Sequence, residues 1–174
     1  VFAINTGERR DKLISCLKDA AGAVTGTCLA RQLAVSRQVI VQDIAILRAG
    51  GAQIFATPQG YLLNADAGCG SVQAVIACCH DGGQIEEEIG IIVDHGGKML
   101  DVIVEHPVYG ELRGNLLIAN RRDLALFLAQ LGKSAARPLS ALTGGVHLHT
   151  IEAAEQAVLN EIIEALSNKG FLLS

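Results

Sequence analysis

Val35-Ser36-Arg37-Gln38-Val39-Ile40-Val41-Gln42-Asp43-Ile44-Ala45-Ile46-Leu47-Arg48 is the stretch on which the fold turns. Ser36 is an N-cap residue, because its hydroxyl oxygen accepts a hydrogen bond from a first-turn N–H that has no helical partner. It opens a helix predicted from Arg37 to about Ala49 and stopped by Gly50-Gly51. At 100° per residue, Ile40, Ile44 and Leu47 fall within about 60° of one another and define the buried face. Gln38 and Gln42 then lie at about 160° and 200° from Ile40, directly away from the core. That is where a recognition helix presents side chains to the major groove. Gln pairs bidentately with adenine N6/N7, and each good pair contributes about 1–3 kcal/mol of base discrimination. Arg37 and Arg48, near the two ends of the helix, suit phosphates better. Ser36, Arg37, Gln38, Gln42 and Arg48 are therefore the candidate DNA-contacting set. A solvated helix that touches no DNA is the competing reading.

The flanking sequence completes a winged helix-turn-helix. Leu13, Ile14 and Leu17 give the stretch Glu8–Asp19 one apolar face. A short second helix follows, capped by Thr25 or Thr27, with Leu29, Ala30 and Leu33 inward. After the third helix, 53–57 and Tyr61-Leu62-Leu63 read as two short strands around Pro58-Gln59-Gly60. The small, glycine-rich run from Asn64 to Gly70 reads as a linker. The expected domains are 1–64, DNA-binding, and 71–174, regulatory.

Charge follows this division. Residues 1–64 carry seven Lys/Arg against four Asp/Glu, and residues 65–174 carry seven against fourteen, within a net charge of −4. A basic module ahead of an acidic one points to a polyanion partner for the first half alone. No apolar run approaches the roughly 20 residues of a membrane helix, and Val1-Phe2-Ala3-Ile4 is too short for a secretory signal, so a cytoplasmic protein without a membrane partner is expected. Cys16, Cys28, Cys69, Cys78 and Cys79 are odd in number and form no Cys-x-x-Cys, which argues against a disulfide framework and a thiolate zinc site. Cys16, among Leu13, Ile14 and Leu17, is expected to act as a small buried hydrophobe.

Beyond the linker, strands and helices alternate. Strands are predicted at 72–79, 99–104, 111–118, about 145–151 and 171–172. Helices are predicted at 84–94, after a cap at Asn120, and around Leu159, Ile162, Ile163 and Leu166. The stretch 132–138 reads as a long loop. The fold class is α+β: a winged helix-turn-helix followed by an α/β sandwich, one sheet with helices on one face.

On one predicted strand, Val146-His147-Leu148-His149-Thr150 places two imidazoles on one face, about 6.5–7 Å apart along the strand, close enough to share an ion. His80 ends another strand. Of the run Glu86-Glu87-Glu88, only Glu88 borders the apolar face set by Ile85, Ile89 and Ile92, and a carboxylate turned toward a core is costly unless paired or metal-bound. His80, Glu88, His147 and His149 form the candidate metal set. It suits zinc, nickel, cobalt or iron better than magnesium or calcium, and copper stays open. His95, beside a helix-ending Gly-Gly, needs no role beyond the helix dipole. His106, before Pro107, is either a turn residue or part of a pocket wall.

Four segments together resemble the 3H-domain transcription regulators, of the niacin-responsive repressor type. They are the helix-turn-helix 35–48, the wing Ala56-Thr57-Pro58-Gln59-Gly60-Tyr61, Asp101-Val-Ile-Val-Glu-His-Pro-Val-Tyr-Gly110 and Gly144-Gly-Val-His-Leu-His-Thr-Ile-Glu152. The resemblance covers about residues 8–173, and the last two motifs are the specific ones. It implies a homodimeric repressor of NAD biosynthesis or niacin uptake genes that binds a palindromic operator. It also implies nicotinic acid as corepressor, and one divalent transition metal per chain, nickel or zinc foremost, on His80, Glu88, His147 and His149. Nicotinate rests on the resemblance alone; His106, Tyr109 and Arg113 are its candidate contacts. Gln59 departs from the basic residue common in relatives, which removes one phosphate contact. Two rivals stay open. An open His/Glu metal site also suits a metal-dependent hydrolase, and a repressor can sense the metal itself.

Overall fold

A computed structural model describes residues 6–63, 70–134 and 136–173. The expected linker 64–70 falls almost wholly outside the described residues, as does Cys69. The chain divides into two compact units, residues 1–67 and 68–174.

The first unit contains α1 (Thr6–Asp19), α2 (Gly26–Gln32), α3 (Arg37–Ala49), β1 (Ile54–Thr57) and β2 (Gly60–Leu63). Leu13, Leu17, Leu29, Leu33, Ile40, Ile44 and Ile54 form its buried core. Cys16 is half-buried at the edge of that core. Of the two candidate caps for α2, Thr25 is the one used; its hydroxyl accepts from Cys28 N at 3.2 Å. Antiparallel β1 and β2 make the wing, and Tyr61 of β2 also bridges to Val24, the two exchanging 2.8 Å hydrogen bonds. A Cβ at Gly60 would lie 2.5 Å from the Val24 carbonyl, so glycine is what lets the wing close on this segment.

The second unit contains β3 (Val72–Cys79), α4 (Ile85–Asp94), β4 (Lys98–His106), β5 (Gly110–Ile118), α5 (Arg121–Lys133), β6 (Val146–Ala153) and α6 (Gln156–Asn168). The four strands form an antiparallel sheet in the order β3-β6-β4-β5. Ile76, Met99, Leu116, Ile118 and Ile151 of the sheet pack with Ile89 and Ile92 of α4, Leu124 of α5 and Leu159, Ile162 and Leu166 of α6. The helices thus cover one face, while Val75 and Val146 on the opposite face stay exposed.

Two local expectations change. The stretch 132–138 is not all loop, because α5 runs to Lys133 and a 3-10 turn begins at Leu139. The expected strand 171–172 is a single bridge: Leu172 pairs with Cys78, Phe171 O accepts from Cys79 N at 3.0 Å and Leu173 N donates to Ala77 O at 2.9 Å. No helix among the described residues is long and apolar enough to cross a membrane.

Candidate metal centre and nucleic-acid interface

Strand pleating assembles the centre. His147 and His149 alternate on β6 with exposed Val146 and Leu148, so both imidazoles point to the helix-covered face and are buried. Their ring centroids are 4.7 Å apart at 80°. β3 pairs with β6 so that Cys78 lies opposite His147 and Ile76 opposite His149. His80, just past the end of β3, packs its ring 4.8 Å from His147 and 5.2 Å from Phe171, both edge-on. Glu88 enters from α4 and is 1% exposed, whereas Glu86 and Glu87 are exposed.

The hydrogen bonds dictate what this cluster can hold. Nδ1 of His80 lies 2.8 Å from Asp81 O, Nδ1 of His147 2.7 Å from Gly145 O, and Nδ1 of His149 2.6 Å from Asp101 O. A carbonyl only accepts, so each Nδ1 carries a proton and each ring turns its Nε2 inward, the nitrogen that can ligate an ion once it is proton-free. Those three nitrogens converge on Glu88: His80 Nε2 lies 2.7 Å and His149 Nε2 3.4 Å from Oε2, and His147 Nε2 lies 3.5 Å from Oε1. Oε1 is buried without a hydrogen-bond partner. Lone pairs facing lone pairs repel unless protons or a cation lie between them.

The titration directions express the same demand. Burial pushes the Glu88 carboxyl up, but the facing imidazoles of His147, His149 and His80 outweigh it and hold the carboxyl well below the usual range. Burial lowers His80, yet Glu88 and the Asp81 carbonyl leave it raised. One divalent cation relieves all three nitrogens and the orphaned oxygen together. Three imidazoles and a carboxylate suit a borderline transition metal, with bonds of roughly 2.0–2.2 Å for zinc, better than magnesium or calcium, which prefer oxygen.

The sequence reading missed two residues here. Cys78, fully buried, places Sγ within 4.8 Å of donor atoms of both Glu88 and His147, and burial followed by the nearby Glu88 charge raises its thiol far above the ordinary range. Its register opposite His147 is a pairing that no local pattern predicts. Asp101 is buried in β4 among Met99, Ile103 and Val104, and a lone acid in an apolar strand was the available signal.

The candidate effector residues do not form one cluster. Tyr109 is 74% exposed with its ring 4.9 Å from that of His106. His106 Nδ1 accepts from Val108 N and Tyr109 N, which fixes the turn between β4 and β5. The Arg113 guanidinium is occupied by Asp101 at 2.8 Å and Glu111 at 3.3 Å. An open cavity of about 530 Å³ lies beside this turn, lined by Ala77, Ile103, Pro107, Val146 and Leu148 and reaching His147.

In the first unit, Ser36 Oγ caps α3 by accepting from Val39 N at 3.3 Å. Arg37, Gln38, Gln42 and Arg48 are exposed on the helix, and Ile40 and Ile44 are buried. Arg37 leans back over Gly26, where a Cβ would lie 3.4 Å from its Nε. Asp43 is buried in the same helix and holds Arg9 at 2.6 Å and Arg10 at 3.0 Å, which ties α1 to α3.

Comparison with known proteins agrees with both halves. Residues 9–62 match the HTH domain family and residues 73–174 the 3H domain family. The chain is 43% identical over 166 residues to a protein of Thermotoga maritima described as "Probable transcription repressor NiaR", covering 95% of this chain and 94% of that one. It is 41% identical over 167 residues to a Bacillus subtilis protein described as "Transcription repressor NadR", covering 95% and 93%. Two transcription repressors matched over nearly their whole length, with an HTH domain among the matches, set the hydrolase reading aside. The chain belongs to the 3H-domain transcription regulators of the NiaR type, an HTH domain followed by a 3H domain.

Proposed function

We propose that this protein represses genes of NAD biosynthesis or niacin uptake in the cytoplasm, binding a palindromic operator as a homodimer with nicotinic acid as corepressor. Residues 1–64 serve as the DNA-binding unit and residues 71–174 as the regulatory unit. The observation that supports the reading is the convergence of three inward-facing Nε2 atoms, each on a ring whose Nδ1 is held by a main-chain carbonyl, on the buried Glu88 carboxylate, whose Oε1 has no hydrogen-bond partner. Such a set binds one divalent transition ion, nickel or zinc foremost, through His80, Glu88, His147 and His149. When bound, the ion supplies a Lewis-acid position for the pyridine nitrogen or carboxylate of nicotinate.

The protein's own residues do the rest. The main-chain carbonyls of Asp81, Gly145 and Asp101 fix the ring orientations. The open cavity beside the β4–β5 turn, which reaches His147, is the candidate place for a small aromatic acid; His106, Tyr109 and Arg113, the candidate contacts, are not among its lining residues. On DNA, Gln38 and Gln42 read bases, while Arg37, Arg48 and the Ser36-capped helix start meet phosphates. A two-fold dimer spaces its half-sites by one or more helical turns of about 34–36 Å. Nicotinate acts as corepressor only by binding the DNA-competent state more tightly than the other.

The test is a DNA-binding titration of metal-loaded and chelated protein, each with and without nicotinate. The proposal expects tight binding only with both. Binding that follows metal and ignores nicotinate makes the ion itself the signal. Failure to bind any duplex carrying the protein's own promoter region at low salt removes the DNA-binding assignment.

A further inference from the structure

We infer that Asp101 is the positioning residue for the metal ligand His149, and that it works by exchanging a side-chain oxygen for a main-chain one inside the sheet. The inference rests on the metal-binding reading above and adds a residue from outside the donor set.

The register locates the device. Between β4 and β6, Met99 pairs with Ile151 and Ile103 with Leu148, so β4 carries one more residue than its partner over this interval. Between β4 and β5, Met99 pairs with Ile118 and Asp101 with Asn115, so here β5 carries the extra residue, and Leu117 takes a left-handed φ of 51°. Asp101 sits where both irregularities meet. A bulge leaves ladder groups without their regular partners and re-aims them. The Thr150 N–H is one such group, and it donates to Asp101 Oδ1 at 2.9 Å. With that donor taken by a side chain, the main-chain carbonyl of Asp101 is free to accept from His149 Nδ1 at 2.6 Å. One residue thus satisfies the strand neighbouring the ligand and fixes the ligand's tautomer.

The carboxylate is itself held. Asp101 is 4% exposed, and a buried charge persists only when paired. Its Oδ2 accepts from Arg113 Nη1 at 2.8 Å, and Arg113 is also bonded to Glu111 on the strand surface. A connected path runs from the exposed guanidinium through the Asp101 carboxylate and backbone to His149 and the metal donors. His80 and His147 lack this arrangement, because their Nδ1 protons go to loop carbonyls within two residues of themselves. This separates a positioning role from a general structural one: loss of Asp101 should disturb one imidazole of the three.

Asp101→Ala is expected to lower metal affinity about 10- to 100-fold, the range for losing a residue that orients a ligand, as measured by competition with a chromogenic chelator. The readout that a merely structural role would not move is the imidazole nitrogen spectrum of metal-free, ¹⁵N-histidine-labelled protein. In Asp101→Ala the Nδ1–H signal of His149 should disappear into tautomer exchange, while those of His80 and His147 persist. Asp101→Asn, which keeps an oxygen for Thr150 N–H, should retain the His149 signal and most of the affinity. It also serves as the readable variant if the alanine protein does not fold. The inference is overturned if Asp101→Ala leaves the His149 signal and affinity unchanged, if all three histidine signals collapse together, or if Asp101→Asn loses the His149 signal. Failure of the wild-type protein to bind any divalent ion would overturn the metal reading instead, and the metal-free spectra would still report on Asp101.

Discussion

At the scale of single residues, two buried acids illustrate how far helical geometry reaches. Glu88 was legible, because of three consecutive glutamates only it borders the apolar face of its helix. The same reasoning applies to Asp43, about 300° round α3 from Ile40 and so against the core, an acid that calls for a partner. The structure supplies Arg9 and Arg10. Asp101 was not legible in its role, since the bulges that give its carbonyl to His149 arise only when three strands pair. Glu88→Gln removes the one anionic donor and should weaken metal binding by more than the roughly 100-fold upper range for outer partners. Glu86→Gln, at an exposed site, should leave affinity unchanged in the same chelator competition. Asp43 makes a prediction in pH. The Arg9 guanidinium holds its carboxyl below the usual range, against the effect of burial, and Arg10 adds to this. A carboxyl lowered in the native state contributes stability that is complete above its unfolded pKa of about 3.9 and is lost as pH falls through the lower native value. Urea unfolding followed by circular dichroism should show that acid-side loss in the wild type, and Asp43→Asn should flatten it; an identical pH profile in the two proteins would rule the ion pair out as its source.

Elements were legible wherever a cap or a period writes itself locally. Thr25, Ser36 and Asn120 each accept a first-turn N–H, at 3.2, 3.3 and 3.0 Å, and β3 runs over the residues its pattern predicts. What escaped were features set by contacts between elements: the extension of α5 to Lys133, and the shrinkage of the last strand to one bridge. The turn between α2 and α3 hides another. Ala34 has a φ of 52°, in the left-handed region that an L side chain enters at about 1–2 kcal/mol. Ala34→Gly should relieve that strain. After subtracting the roughly 0.4–1 kcal/mol by which glycine enlarges the unfolded ensemble, a net gain of about 0.5–1 kcal/mol is expected in urea unfolding. Ser36→Ala should shift the same measurement the other way by about 1 kcal/mol through loss of the cap. The pair brackets the turn: a destabilised Ala34→Gly protein would mean that the left-handed residue is held by packing rather than merely tolerated.

At the scale of the whole molecule, the two-unit division follows from composition, since a basic module and an acidic one seldom share a single function. The antiparallel order β3-β6-β4-β5 does not follow from it, because β6 joins the middle of the sheet only after α5 and a long connection have passed. That order brings His147 and His149 beside β3 and within reach of α4, so the candidate metal centre depends on topology while its candidate donors are readable in the sequence. The charge division has a measurable consequence for DNA binding. Each phosphate neutralised releases condensed counterions, and the logarithm of the association constant falls with the logarithm of salt at about −0.9 per contact. In the proposed dimer, Arg37 and Arg48 of both protomers meet four phosphates, which sets a slope of about −3.6 from these residues alone. Replacing Arg37 with Ala should make the slope shallower by about 1.8 and weaken every duplex alike. Replacing Gln42 with Ala should leave the slope intact and relax base preference at one position in each half-site. Acidic residues 65–174 add no favourable contacts to this count, so a chain bearing Arg122→Ala, a substitution at an exposed basic residue of the second unit, should show the wild-type slope. If that substitution reduced the slope as Arg37→Ala does, the second unit would be touching DNA and the assignment of the two units to separate tasks would have to be abandoned.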